Sequence, residues 1–385
     1  MKKSYLISSL IAVVIIGGHY VLWQKAATHL TQVVEREIEI TQTQILPPLD
    51  GTLDVAYSTF GYPFKIGVDI NHYNMTFTPP QNGRVVHASL EGDLKIYTSL
   101  FNINKYSFHA NPLKILFNAT EKGVSEAVAI ELQVENLSGN GVLDQLTARI
   151  PHIQLNMENA GVFIKNQKMM GITSINQDFT QNTVKDLSTL NWVLALEGLT
   201  LFTPPQIQKK QDIHIDALKV STRAENISLD ALKAFQAGMQ ASTNLDGSTD
   251  GKALRKTLST FIKNIVDNNS TAFIDEISLK KGGFTATLKG NLKIDTMKHF
   301  DGSLTLHAEG LDELKKMGEP FAALATNPFL QSAITDNSFN LTVGASKGFA
   351  SLNGVPMMAL PNLENAIYYI PDEISASMPT GYIAP

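Results

Sequence analysis

The chain of 385 residues contains no cysteine. That absence removes disulfides, thiol nucleophiles, thiolate metal sites and lipoprotein processing together, so an exported domain of this composition depends on packing alone. Charge is scarce as well. Asp, Glu, Lys and Arg supply 17% of the residues, against about a quarter in soluble proteins, and Asn, Gln, Ser and Thr build the polar surface instead. The net charge of −5, without a Lys/Arg cluster, leaves no footprint for nucleic acid. No Gly-x-Ser-x-Gly, phosphate loop, dinucleotide fingerprint or His-Glu-x-x-His occurs. The nine histidines are scattered. Neither catalytic residues nor a cofactor is expected, and a hydrolase ranks last because only a triad assembled in space would support it.

Long apolar runs are also missing, with one exception. Residues 4–23 read SYLISSLIAVVIIGGHYVLW and carry no full charge behind Lys2 and Lys3. About twenty apolar residues in a helix match a hydrocarbon core roughly 30 Å thick. The expected anchor comprises Tyr5, Leu6, Ile7, Leu10, Ile11, Val13, Val14, Ile15, Ile16, Tyr20, Val21, Leu22 and Trp23. A cleaved signal peptide has a shorter apolar core and a small-x-small site; Gly17-Gly18 and Ala26-Ala27 supply none, so an uncleaved anchor is preferred. Tyr20 and Trp23 sit where interfacial aromatics belong, and His19 reads as snorkelling beside them. Lys2 and Lys3 put the amino terminus in the cytoplasm, which leaves a single-pass inner-membrane protein with its body in the periplasm.

Helical spacing continues through residues 24–46, with Leu30, Val33, Val34 and Ile38 on a stripe that ends at Pro47-Pro48. This reads as an amphipathic stalk on or near the membrane surface. From Leu53 the period becomes two: Val55 and Tyr57, then Ile66, Val68 and Ile70 opposite Lys65, Gly67, Asp69 and Asn71. Asn82-Gly83 signals a hairpin turn. Residues 128–134 and 146–157 read as short strands, and 166–190 as a polar loop with a short helix at 184–190. Pro204-Pro205 and Lys209-Lys210 mark a boundary. Amphipathic helices are expected at 229–240, 251–266 and 311–324, between strands carrying Phe284, Ala286, Leu288, Leu304 and Leu306. The fold class is α+β, mostly β: a transmembrane helix, then a long, curved antiparallel sheet with a few helices packed on one side. The expected divisions are 1–46 (anchor and stalk), 47–205 (first β-rich half) and 206–385 (second half with helices).

Two constellations invite a metal, and neither is assigned one. Asp212, His214 and Asp216 alternate on one strand face, which ordinary solvent-facing residues explain. Asp246-x-Ser248-x-Asp250-Gly251 begins like a calcium loop, but Leu254 and Thr257 stand where its ninth and twelfth ligands belong. A polar turn before a helix is the simpler reading. A faint repeat links Val134-Glu135-Asn136-Leu137, Ala224-Glu225-Asn226-Ile227 and Ala308-Glu309-Gly310-Leu311.

The remaining candidate is a surface. Ile66, Val68, Ile70, Phe284, Ala286, Leu288, Leu304 and Leu306 give the sheet an apolar face that serves either as core or, where helices leave it bare, as a groove for acyl chains or an extended partner.

The Gly61-Tyr62-Pro63-Phe64 turn, the Gly92-Asp93-Leu94-Lys95-Ile96 strand running to Asn111-Pro112, and Gly348-Phe349-x-x-Leu352-Asn353-Gly354-Val355-Pro356 resemble a family of uncharacterised bacterial envelope proteins. It is catalogued as domain of unknown function twenty-one twenty-five, over roughly residues 5–360. That family is similar in style to AsmA-like proteins, which implies an inner-membrane anchor, a β-rich body and a part in lipid movement or outer-membrane biogenesis. A YdgA-like family of anchored periplasmic proteins is the competing resemblance, and neither supplies catalytic residues. The expected function is that of a non-enzymatic envelope protein binding or passing lipid along an apolar face. The alternative is a scaffold that binds another envelope protein.

Overall fold

The computed structural model describes residues 23–36, 38–78, 85–120, 128–144, 149–203, 212–242, 249–316 and 334–374. The anchor residues Tyr5 to Leu22, the Asn82-Gly83 turn, Pro204-Pro205 and Lys209-Lys210 lie outside them. Among the described residues no helix is long and apolar enough to cross a membrane. The chain is mostly β with few helices, and its strands pair antiparallel. It divides into two compact units: residues 1–176 with 198–213, and 177–197 with 214–385.

In unit 1 a helix, α1 (residues 23–36 and 38–40), passes through a π-helical turn, Thr41–Ile45, into Pro47–Leu49. Ala27 is buried and Leu30, Val34 and Ile38 are half-buried, whereas Val33, read as part of the same stripe, is 44% exposed. Thr31 of this helix lines a hollow with residues 55–59 of β1 (Thr52–Phe60). Trp23 Nε1 donates to Lys65 O (2.8 Å) just beyond one end of the strand, and Gln42 Nε2 to Leu53 O (2.8 Å) near the other. Burial, then the Glu35 carboxylate, hold the Tyr57 phenol above its usual range.

The remaining strands of unit 1 begin with β2 (Lys65–Phe77), β3 (Val85–Glu91), β4 (Leu94–Ser99) and β5 (Asn102–Ala110). They continue with β6 (Leu113–Thr120), β7 (Val128–Asp144), β8 (Arg149–Ile164) and the first part of β9 (Gln167–Val184). Directly opposed residues share a face. Val68 opposes Ile96, Ile96 opposes Phe108 and Phe108 opposes Gly139, which opposes Leu155. A neighbouring core gathers Ala110, Leu113, Val134, Ala160 and Ile172. The other face is a polar ladder in which Asp69 meets Lys95 at 3.5 Å and Lys114 lies 3.5 Å from both Glu91 and Glu131.

The reading of 166–190 as loop and short helix is wrong. Strand β9 runs to Val184 and turns at Lys185 (φ 56) and Asp186 into β10 (Leu187–Leu201). The threonines and asparagines that read as loop make cross-strand contacts: Thr183 Oγ1 lies 2.8 Å from Ser188 Oγ, and Asn191 Nδ2 donates to Thr180 Oγ1 at 3.1 Å. Threonine suits a pleated, half-buried surface, so polarity was mistaken for irregularity. Strands β7 and β8 also run well beyond the short segments expected.

Unit 2 holds the rest of β9 and β10, then β11 (Ile213–Ser228), α2 (Leu229–Ser242), β12 (Thr249–Asp250) and α3 (Gly251–Asp267). The strands β13 (Thr271–Lys281), β14 (Phe284–Ile294) and β15 (Phe300–Glu309) follow, then α4 (Leu311–Lys316). The last elements are β16 (Ile334–Thr335), β17 (Ser338–Ser346), β18 (Phe349–Leu352), β19 (Val355–Ala359), α5 (Leu363–Tyr368) and β20 (Glu373–Ile374). Two-residue loops set the hairpin registers. Lys347-Gly348 and Asn353-Gly354 both adopt positive φ, as the primed turns between twisted strands require. In the faint repeat, Asn226 (φ 58) and Gly310 (φ 76) both take the left-handed conformation just before a helix. Helices α2 and α3 form a hairpin closed by Phe235 stacked on Phe261 at 4.3 Å. Residues 317–324 of the helix expected at 311–324 lie outside the described residues.

Candidate functional site

The register of unit 2 builds one apolar face from four strands. Leu279 opposes Ala286 and Ile277 opposes Leu288; Ala286 opposes Ala308 and Leu288 opposes Leu306. Beyond them Leu304 opposes Gly290 on one side and Val343 on the other. Phe284, Ala286, Leu288, Leu304 and Leu306 therefore lie on the same side of adjacent strands. Ile66, Val68 and Ile70 share a face of β2 in unit 1, with Ile66 and Val68 buried. The candidate face is thus two faces, one in each unit.

One end of the unit 2 face is closed. Phe284, Ala308 and Phe339 are buried there, together with Leu311 at the start of α4. The other end is open: Leu292 is 37% and Val343 45% exposed. At the open end lies a cleft of about 480 Å³, walled by Phe179, Leu190 and Trp192 of β9 and β10 and floored by Ile274, Leu292 and Leu304. Ligand pockets span about 300–1,000 Å³ and are mostly apolar, with a few polar groups.

The neighbours of the floor residues are small. Ala224 opposes Ala272, Ala272 opposes Leu292 and Leu292 opposes Gly302. Gly290 (φ 156) and Gly302 (φ 150) have backbone that side-chain-bearing residues rarely adopt. A Cβ on Gly290 would lie 2.0 Å from Ser303 O, and one on Gly302 2.2 Å from Asn291 O. The strands approach too closely for any side chain at these points.

The lining of the cleft also includes Thr222, Arg223, Phe273 and Asn291, and charge gathers around Arg223. Arg223 stacks over Phe273 at 4.1 Å and reaches Glu225 and Asp275. Lys219 donates to Glu276 at 2.8 Å, and this bond, reinforced by Ser278, holds the Glu276 carboxyl below its usual range.

The motifs that invited a metal resolve into ordinary contacts. Asp212 accepts from Thr203 N at 2.9 Å; Asp216 accepts from Gly282 N at 2.6 Å and lies 3.3 Å from His214. Asp250 caps α3, accepting from Lys252 N and Ala253 N, while Asp246 and Ser248 lie outside the described residues. Among the described residues no group of three or more potential ligands could hold a metal.

The hollow has no counterpart in the sequence reading. Phe179 falls in the stretch 166–190 expected to be a loop. Gly290 and Gly302 interrupt the apolar alternation, each opposite a leucine of the neighbouring strand.

A family model described as an uncharacterized protein conserved in bacteria, DUF2125, matches residues 56–361. No curated protein and no solved structure matches the chain. The two ends of one motif that carried the resemblance meet in space, because a Cβ on Gly92 would lie 2.2 Å from Pro112 O.

Proposed function

The chain belongs to the DUF2125 family of uncharacterized bacterial proteins, and from that premise we propose a non-enzymatic envelope protein, anchored by residues 4–23, that takes lipid acyl chains into the cleft of unit 2. The cleft carries the reading. It is concave, apolar and open at one end, whereas a sheet serving only as core would be closed at both. A role in passing lipid between membranes, as the AsmA-like resemblance implies, is the finer form of the proposal. The anchor places the body in the periplasm by the charge bias of its flanks.

A second reading, a scaffold for another envelope protein, draws on β19, where Val355, Met357 and Met358 are 61%, 52% and 63% exposed. A short apolar strand of this kind suits strand addition by a partner.

The chain has two tryptophans, and one of them lines the cleft. In a Trp23→Phe variant of the full chain, only Trp192 emits. Reconstituted into vesicles whose phospholipids are brominated on the acyl chain, this variant should lose Trp192 emission relative to unbrominated vesicles. Adding Leu304→Asp should restore the emission while the circular dichroism stays unchanged. Equal emission in both kinds of vesicle would leave the scaffold as the better account.

A further inference from the structure

In unit 1, the turn between β1 and β2 and the turn between β4 and β5 form one platform. Leu100 N donates to Phe64 O at 3.0 Å, and the rings of Phe64 and Phe101 lie 6.0 Å apart. The platform is strongly apolar and exposed: Tyr62 is 43%, Phe64 58%, Ile103 53% and Phe101 76% accessible. Isolated apolar side chains on a surface are unremarkable, but a cluster marks a contact surface.

The platform's position within unit 1 identifies the contact. Trp23, the last residue of the uncharged run 4–23, is fastened to it: its indole N–H donates to Lys65 O at 2.8 Å and its ring meets Tyr62 edge-on at 5.7 Å. Residues 23–27, 61–66 and 99–106 contain Lys25, Lys65 and Lys105, all exposed, and no acidic residue. Aromatic rings beside lysines, at the point where an apolar span ends, match the chemistry of the membrane–water interface, where rings sit among headgroups and lysines meet anionic phosphates.

We infer that this platform is a membrane-docking surface, which lays the turn residues Tyr62, Phe64, Phe101 and Ile103 into the headgroup layer of an anionic phospholipid bilayer. The inference rests on the reading of residues 4–23 as a span. The anchor therefore does more than tether the body: Trp23 fixes which end of unit 1 meets the lipid. A bound partner protein, a second copy of the chain and open water are the competing occupants.

The absence of cysteine makes single-site labelling direct. Full-length Phe101→Cys, Val13→Cys and Gln167→Cys variants would carry a nitroxide and be reconstituted into vesicles of phosphatidylethanolamine and phosphatidylglycerol. Gln167 begins β9 beyond Ile164, at the far end of the β7–β8 ladder. From the Val142–His152 pair to the Ile130–Ile164 pair that ladder runs about 40 Å at ~3.3 Å per residue. Expected is relaxation by oxygen exceeding relaxation by an aqueous nickel chelate at positions 13 and 101, and the reverse at 167. A lipid-shielded 13 with a water-exposed 101 would overturn the docking surface and leave the anchor intact. A water-exposed 13 would overturn both. Shielding of 101 from oxygen and nickel alike would mean protein covers it, and would overturn the lipid assignment.

Discussion

The ring of Phe108 occupies the space above Gly139, its cross-strand partner in the β5–β7 ladder. Two residues along, Tyr106 does the same to Gly141. A Cβ on Gly139 would lie 2.1 Å from Phe108 Cζ and 2.3 Å from the backbone oxygen of Gln154. On Gly141 the three nearest atoms all belong to Tyr106, the closest at 2.3 Å. The two glycines thus differ in what blocks them. Each alanine substitution should destabilise the chain by about 1–3 kcal/mol through overpacking. Adding Tyr106→Leu should recover most of the loss at Gly141, because a side chain can be replaced. Adding Phe108→Leu should recover little at Gly139, where backbone remains. Denaturant midpoints of the two double-mutant cycles would measure this, and equal rescue at both sites would refute it.

The same pairs show what was legible in the sequence. Period-two alternation in Ile66-x-Val68-x-Ile70 marks a strand face wherever apolar and polar residues separate cleanly, and the structure keeps those faces. It fails where partners across the sheet complete the pattern. Ser138-Gly139-Asn140-Gly141 looks like a break, yet β7 runs through it because rings from β5 fill the missing side chains. The Thr- and Asn-rich strands β9 and β10 fail for the same reason, since their stabilising contacts are to each other. The cleft was invisible because Phe179, Leu190 and Trp192 meet Ile274, Leu292 and Leu304 only once the strands are in register.

The C-terminal segment closes onto α3 through a contact that responds to acid. Arg255 donates to Ile370 O and to Asp372, Lys252 lies 3.4 Å from Asp372, and Gly251 N donates to Asp372 O at 2.7 Å. The hydrogen bond from Arg255, ahead of the charge of Lys252, holds the Asp372 carboxyl below its ordinary value. A lowered carboxylate contributes stability above its unfolded-state pKa of about 3.9 and loses it as pH falls through the lower folded value. Limited proteolysis of the full chain should therefore cut near residues 370–374 faster at pH 3 than at pH 6. Arg255→Ala should produce fast cutting at both. Gly251→Ala should act likewise at pH 6, because its Cβ would fall 1.6 Å from Pro371 O. A cleavage rate indifferent to all three changes would show that this contact does not hold the segment.

His307 titrates in the opposite sense. It stands on β15 opposite Asn340 of β17, with Nδ1 2.8 Å from Asn340 Oδ1 and Nε2 3.1 Å from Glu309 Oε1. The protonated ring donates to both, so the bond to Asn340 and then that to Glu309 raise its pKa above the ordinary 6.5. A histidine with a raised folded pKa contributes its full stabilisation below the unfolded value and loses it as pH climbs through the folded one. The window therefore opens at about 6.5 and extends upward. An NMR titration of the His307 ring should show a midpoint above that value. Asn340→Ala and Glu309→Gln should each lower the midpoint, because both partners favour the protonated ring. A midpoint at the ordinary value in the unsubstituted chain would mean that the ring does not hold both partners in solution. A larger fall with Glu309→Gln would make charge, rather than the cross-strand hydrogen bond, the dominant effect at this pair.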